Sequence, residues 1–190
     1  MRRLKTDVLK ELPDKLEHAV YAQMTDEQKK LYTANALKLQ KNLEQQSDSM
    51  FKTSKIQILA ELTKLRQLCC DPSLIYQNYH GGSAKLDTCI QLIENAMAGG
   101  HKILLFSQFT SMLDVIERRL KTERILYYRL DGSTKSEQRT RLVNAFNDNK
   151  VPVFLISLKA GGTGLNLPGA DIVIHYDPWW TAPAQNQATD

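Results

Sequence analysis

The sequence predicts an α/β fold, a mostly parallel sheet with helices on both faces, preceded by an N-terminal strand and a helical segment. Three observations predict it. Beyond about residue 81, helical and strand patterns alternate with short connections, as parallel strands joined by crossover helices require. Lys102-Ile103-Leu104-Leu105-Phe106 is a nearly continuous apolar run, the mark of a strand covered on both faces. The first 80 residues differ, with one alternating stretch followed by two long amphipathic ones.

The elements follow in order. Leu16, His18, Val20, Ala22 and Met24 alternate with Glu17, Ala19, Tyr21 and Gln23 and predict a strand. Thr25-Asp26-Glu27-Gln28 has the capping-box pattern, with Thr25 as N-cap and Gln28 reaching back, and opens a helix towards Glu44. Gln45-Gln46-Ser47-Asp48-Ser49 reads as a turn or protrusion. A second helix runs from about Phe51 to Cys70, striped by Ile58, Leu62, Leu65 and Cys69, and Asp71-Pro72 stops it. Tyr79-His80-Gly81-Gly82-Ser83 marks the internal boundary. Ser83 then caps a helix carrying Leu86, Ile90, Ile93 and Met97, which ends at Gly99-Gly100. After the Lys102–Phe106 strand, Ser111 with Asp114 opens a helix, and Ile125 to Arg129 is a strand. Thr134 and Glu137 cap a helix to Phe146, and Val153–Ser157 and Ile172–Tyr176 are two further strands.

Composition narrows the function classes. The 190 residues are 42% hydrophobic and 24% charged, ordinary for a soluble globular chain. No apolar run approaches a membrane span, and Met1-Arg2-Arg3-Leu4-Lys5 lacks a signal-peptide core. The net charge of +4 is mild. Residues 1–80 carry 13 basic and 10 acidic side chains, residues 81–190 carry 12 and 11, so any polyanion contact must come from placed residues. Cys69, Cys70 and Cys89 form no CxxC pair and read as buried thiols of a reducing compartment.

Parallel sheets place ligands at the carboxyl ends of their strands, which puts the chemistry just after Phe106, Leu130, Ser157 and Tyr176. Ser107-Gln108-Phe109-Thr110 is either a helix cap or part of a site. Asp131-Gly132-Ser133-Thr134-Lys135 is either a plain turn or an anion site formed by hydroxyls and the next helix's free N–H groups. Ser157 to Leu167 packs three glycines, the two hydroxyls of Ser157 and Thr163, and Lys159 into eleven positions, suiting close approach of an anion. It is neither a Walker A loop nor a dinucleotide-binding fingerprint. Trp179 and Trp180, after Asp177-Pro178, are core anchors or a stacking surface, and His175 reads as a structural histidine. Asp131 and Asp177 fit turn positions. No acid–base pair or nucleophile constellation appears, which argues against a small-molecule enzyme.

With these residues in hand, the chain resembles the second RecA-like lobe of a SWI/SNF-type ATPase, a double-stranded-DNA translocase of helicase superfamily 2. Leu4-Lys5-Thr6-Asp7-Val8 with Glu11-Leu12-Pro13 is similar to the entry segment, and Leu65-Arg66-Gln67-Leu68-Cys69 with Asp71-Pro72 to the helix before the lobe core. Leu105–Phe109 resembles motif IV, Leu130–Thr134 motif IVa, Ser157–Asn166 with Asp177–Trp180 motif V and its extension, and Gln187-Ala188-Thr189-Asp190 the opening of motif VI. One departure is Thr181-Ala182-Pro183 after Trp180, where the family usually has Asn-Pro.

The resemblance implies a division into a lobe-entry segment with a helical protrusion (1–80) and the core of RecA-like lobe 2 (81–190), truncated within motif VI. It implies that Gln108, Gly132, Ser133, Thr134, Lys135, Ser157, Lys159, Gly161, Gly162 and Trp180 face DNA, and that Gly164, Asn166 and Gln187 approach ATP. Its implied partners are double-stranded DNA and the first RecA-like lobe of the same protein, with no membrane, and a fragment dimer through the inter-lobe face. ATP with Mg would be held mainly by the first lobe, with none expected on the 190 residues alone and no catalytic residue or metal site among them. The implied compartment is intracellular: cytoplasm or nucleoid in a bacterium, nucleus in a eukaryote. The alternative is a stand-alone nucleic-acid or protein binding module without motor activity.

Overall fold

A computed structural model describes residues 16–44, 48–148, 150–161 and 165–178. Two helices come first, α1 (Asp26–Glu44) and α2 (Asp48–Cys70), followed by a 3₁₀ turn at Pro72–Leu74. The chain then alternates through α3 (Ala84–Ala98), β1 (Ile103–Ser107), α4 (Thr110–Thr122), β2 (Tyr127–Leu130), α5 (Ser136–Asp148), β3 (Val153–Ser157), the single turn α6 (Leu158–Gly161) and β4 (Ile172–His175). The strands form one parallel sheet in the order β2-β3-β1-β4. The predicted α/β class is the observed one.

Side-chain alternation along the central strands builds two cores. Ile103, Leu105, Val153 and Leu155 face α3 and α4, where Ile90, Ile93, Leu113 and Ile116 are buried against them. Leu104, Phe106, Phe154 and Ile156 face the other way, onto Leu130, Phe146 and Leu158. Every residue of β1 and β3 is therefore buried, and the sheet's carboxyl ends lie level, with Ser107 paired to Ser157 and Phe106 to His175.

The α1–α2 pair is fastened to this core at one carbonyl. Cys70 O, at the end of α2, accepts from Ser83 Oγ at 2.8 Å and from Tyr176 Oη at 3.0 Å. Ser83 also caps α3, accepting from Leu86 N, as predicted. Cys70 and Cys89 are buried and Cys69 half-buried, and burial pushes the Cys70 and Cys89 thiols up to about 12, so both stay protonated. Among the described residues no helix is long and apolar enough to cross a membrane.

Several local expectations are corrected. Residues 16–25 are irregular rather than a strand, with Leu16 83% and Tyr21 90% exposed. Alternation makes a strand only where a sheet offers a partner, and no described strand pairs with this stretch. Thr25 does cap α1, but Gln28 does not reach back. It is buried and donates to Leu68 O at 2.8 Å, closing the end of α2 instead. Thr134 does not cap α5. Its hydroxyl accepts from Asp131 N, and α5 starts two residues later. Likewise α4 begins at Thr110, behind Phe109, with no side-chain cap. The entry segment at residues 4–13 and Gln45-Gln46-Ser47 of the expected turn lie outside the described residues, whereas Asp48 and Ser49 of that turn belong to the first turn of α2.

Candidate functional site

Four parallel strands in register deliver four loops to one end of the sheet. At the end of β1, Ser107 Oγ donates to Asp177 Oδ1 at 2.5 Å and Gln108 N to Asp177 Oδ2 at 3.0 Å. The loops after β1 and β4 are thus bracketed by one buried carboxylate. Burial pushes the Asp177 carboxyl above its ordinary range, against the pull of the Ser107 and Gln108 hydrogen bonds. From α2, Arg66 reaches the same place. It donates to Gln108 Oε1 at 3.1 Å and to Pro178 O at 2.5 Å, with its guanidinium 5.8 Å from the Phe109 ring centre.

The loop after β2 is organised by Asp131. Its Oδ1 accepts from Ser133 N at 2.9 Å and from Ser133 Oγ at 2.6 Å, and Oδ2 from Arg129 Nε at 3.0 Å. The Ser133 hydroxyl bond, then its backbone N–H and Arg129, hold the Asp131 carboxyl below its ordinary range despite burial. Arg129 also binds Asp114 and Glu117 of α4. Gly132, Ser133 and Lys135 are exposed above this support. Gly132 has no positive φ, and a Cβ there would meet nothing within 4 Å. Neither backbone nor packing requires that glycine.

At β3 the arrangement differs. Ser157 is buried and its Oγ accepts from Ala160 N at 3.4 Å. Gly161 is buried as well, and a Cβ there would stand 2.6 Å from Phe106 Cε1, so this glycine serves packing. Lys159 is exposed. At β4, His175 stacks on Phe106 with ring centres 5.5 Å apart. Among the described residues no cluster of His, Cys, Asp and Glu could hold a metal.

Gln108 and the 132–135 turn therefore sit at the strand ends with Lys159, while Ser157 and Gly161 lie beneath. Gly162, Gly164, Trp180 and Gln187 are outside the described residues. Of the residues implied for ATP only Asn166 is described. It is exposed, and its carbonyl accepts from Asn147 Nδ2 at 3.1 Å. One exposed carboxamide is not by itself a nucleotide pocket. Sequence reasoning missed the roles of Arg66 and Asp177. The signal for Asp177 was a carboxylate directly after an apolar strand; Arg66, 112 residues from its acceptor Pro178, gave none.

The family profile described as helicase conserved C-terminal domain matches residues 84–190, and that of the SNF2-related domain matches residues 1–74. An uncharacterized ATP-dependent helicase of Mycoplasma pneumoniae is 37% identical over 194 residues, all of this chain and 18% of that protein. Nuclear protein STH1/NPS1 of Saccharomyces cerevisiae is 34% identical over 209 residues, covering 15% of its length. The chain thus spans less than a fifth of either relative. Among solved structures, the Sulfolobus solfataricus SWI2/SNF2 ATPase C-terminal domain superposes with a TM-score of 0.78 at 33% identity, covering 88% of this chain and 74% of that one. The core of the Sulfolobus ATPase in complex with dsDNA gives a TM-score of 0.79 at 29% identity, covering 97% and 40%.

Proposed function

The chain belongs to the helicase C-terminal domain family as a C-terminal lobe of the SWI/SNF-type superfamily 2 ATPases, and on that premise we propose that it is one of two DNA grips in an ATP-driven duplex translocase. The observation that carries the reading is Gly132. An exposed glycine that neither φ nor neighbours demand leaves room for a group from outside, and a DNA phosphate is that group. Asp131 occupies both donors of Ser133, which makes Ser133 the builder of the turn. The phosphate then takes the Thr134 hydroxyl, which accepts from Asp131 N and keeps its own proton, and the Lys135 ammonium. Lys159, Gln108, Gly162 and Trp180 extend the contact along one strand. Hydroxyls and lysines hold phosphates without reading bases, as a motor gripping every step alike requires.

ATP with Mg, bound mainly by a first RecA-like lobe, would supply the free energy, and Gly164, Asn166 and Gln187 would meet it as the lobes close. Residues 1–80 act as lobe entry and protrusion, and residues 81–190 as the lobe core. Hydrolysis is measured with and without duplex DNA, for the 190 residues alone and for them joined to a first RecA-like lobe. The expected result is no turnover from the chain alone and DNA-stimulated turnover from the joined protein. Turnover by the chain alone overturns the half-motor reading, and silence from both transfers the weight to a binding module.

A further inference from the structure

We infer that Arg66 is a positioning residue for the DNA grip: it fixes which end of the Gln108 carboxamide is offered and pins the chain leaving β4. The inference rests on the translocase reading of the strand ends. A guanidinium only donates, so the amide oxygen of Gln108 must face Arg66 and its nitrogen must face away. That nitrogen is buried with no acceptor among the described residues. A buried donor with no partner among the described residues is costly to keep, so Gln108 gains a bond when the strand ends open enough to admit an outside acceptor such as a phosphate oxygen. The same guanidinium holds Pro178 O, and Asp177 holds the Gln108 N–H. One side chain from outside the sheet therefore sets the relative position of the loops after β1 and β4. Lysine cannot do this, because a single ammonium on a flexible stem lacks the planar fork that reaches two acceptors at once.

The test uses the full-length parent protein and reads two quantities, the duplex concentration giving half-maximal ATP turnover and the turnover at saturation. Arg66→Ala raises the half-saturating concentration about tenfold, the scale of one lost charge-assisted hydrogen bond. Arg66→Lys keeps most of that rise, and Gln108→Ala added to Arg66→Ala changes it by less than about twofold, because the two act as one unit. Half-saturation does not depend on the folded fraction, so a merely destabilised variant loses saturating turnover and keeps its affinity for DNA. Full rescue by Arg66→Lys, or independent effects of the two alanine substitutions, overturns the inference. Amide exchange in the DNA-free protein reads the clasp separately, and Arg66→Ala speeds exchange at Gln108. If the unsubstituted protein shows no DNA stimulation, the translocase reading falls, and unchanged exchange at Gln108 then removes the role of Arg66 as well.

Discussion

Two glycines at the strand ends look alike in the sequence and stand in opposite surroundings, one against a buried ring and one in open space. Gly161 lies against the Phe106 ring, so Gly161→Ala forces a methyl to 2.6 Å from Cε1 and costs about 1–3 kcal/mol in a denaturant titration. Gly132→Ala has open space and an ordinary φ, and stability should stay within about 0.5 kcal/mol of the original. If the proposed phosphate contact holds, the same Gly132→Ala change in the joined protein should weaken duplex binding by about tenfold, which a fluorescence titration measures. If Gly161→Ala were neutral and Gly132→Ala destabilising, the assignment of the two positions would be reversed. Glycine content showed in the sequence that the chain keeps freedom from a Cβ near here. Whether that freedom faces the core or an outside group depends on a ring 55 positions earlier in the chain, which no local pattern carries.

Between elements, α4 and β2 are joined by charge. Glu117 accepts from Lys121 at 2.8 Å, from the Tyr127 hydroxyl at 2.7 Å and from Arg129 at 2.8 Å. Lys121 first, then Tyr127 and Arg129, bring its carboxyl from an ordinary 4.5 down to about 2, against the effect of burial. A depressed folded-state value means that the stabilisation is complete above pH 4.5 and is lost as pH falls towards 2. Unfolding free energies measured across that window should drop, and Glu117→Gln should remove on the order of 1 kcal/mol of the drop, since the cluster is partly exposed. The long helices and the buried strands were legible because their periodicities are set by the sheet they pack on. Helix starts were less so. The hydroxyl of Thr134 and the amide of Gln28 fit capping patterns, yet both found stronger partners, the first in a turn and the second 40 residues away. The strand expected at Leu16–Met24 failed for a related reason: its alternation met no sheet edge.

At the level of the whole chain, the parallel arrangement follows from helix–strand alternation, and so does the single end at which the loops gather. What alternation does not encode is the fastening of α1 and α2 to that end. The carbonyl of Cys70 receives Ser83 from the start of α3 and Tyr176 from the end of β4, while Arg66 one turn earlier holds Pro178. The pair of helices should therefore exchange its α2 amides near Cys70 as slowly as those of β1, in one cooperative unit. In mechanical terms, the joint at Cys70 is a keyed shaft rather than a flexible tether. Tyr176 and Pro178 flank Asp177, so a torque on the helical pair would bear first on the loop of that carboxylate.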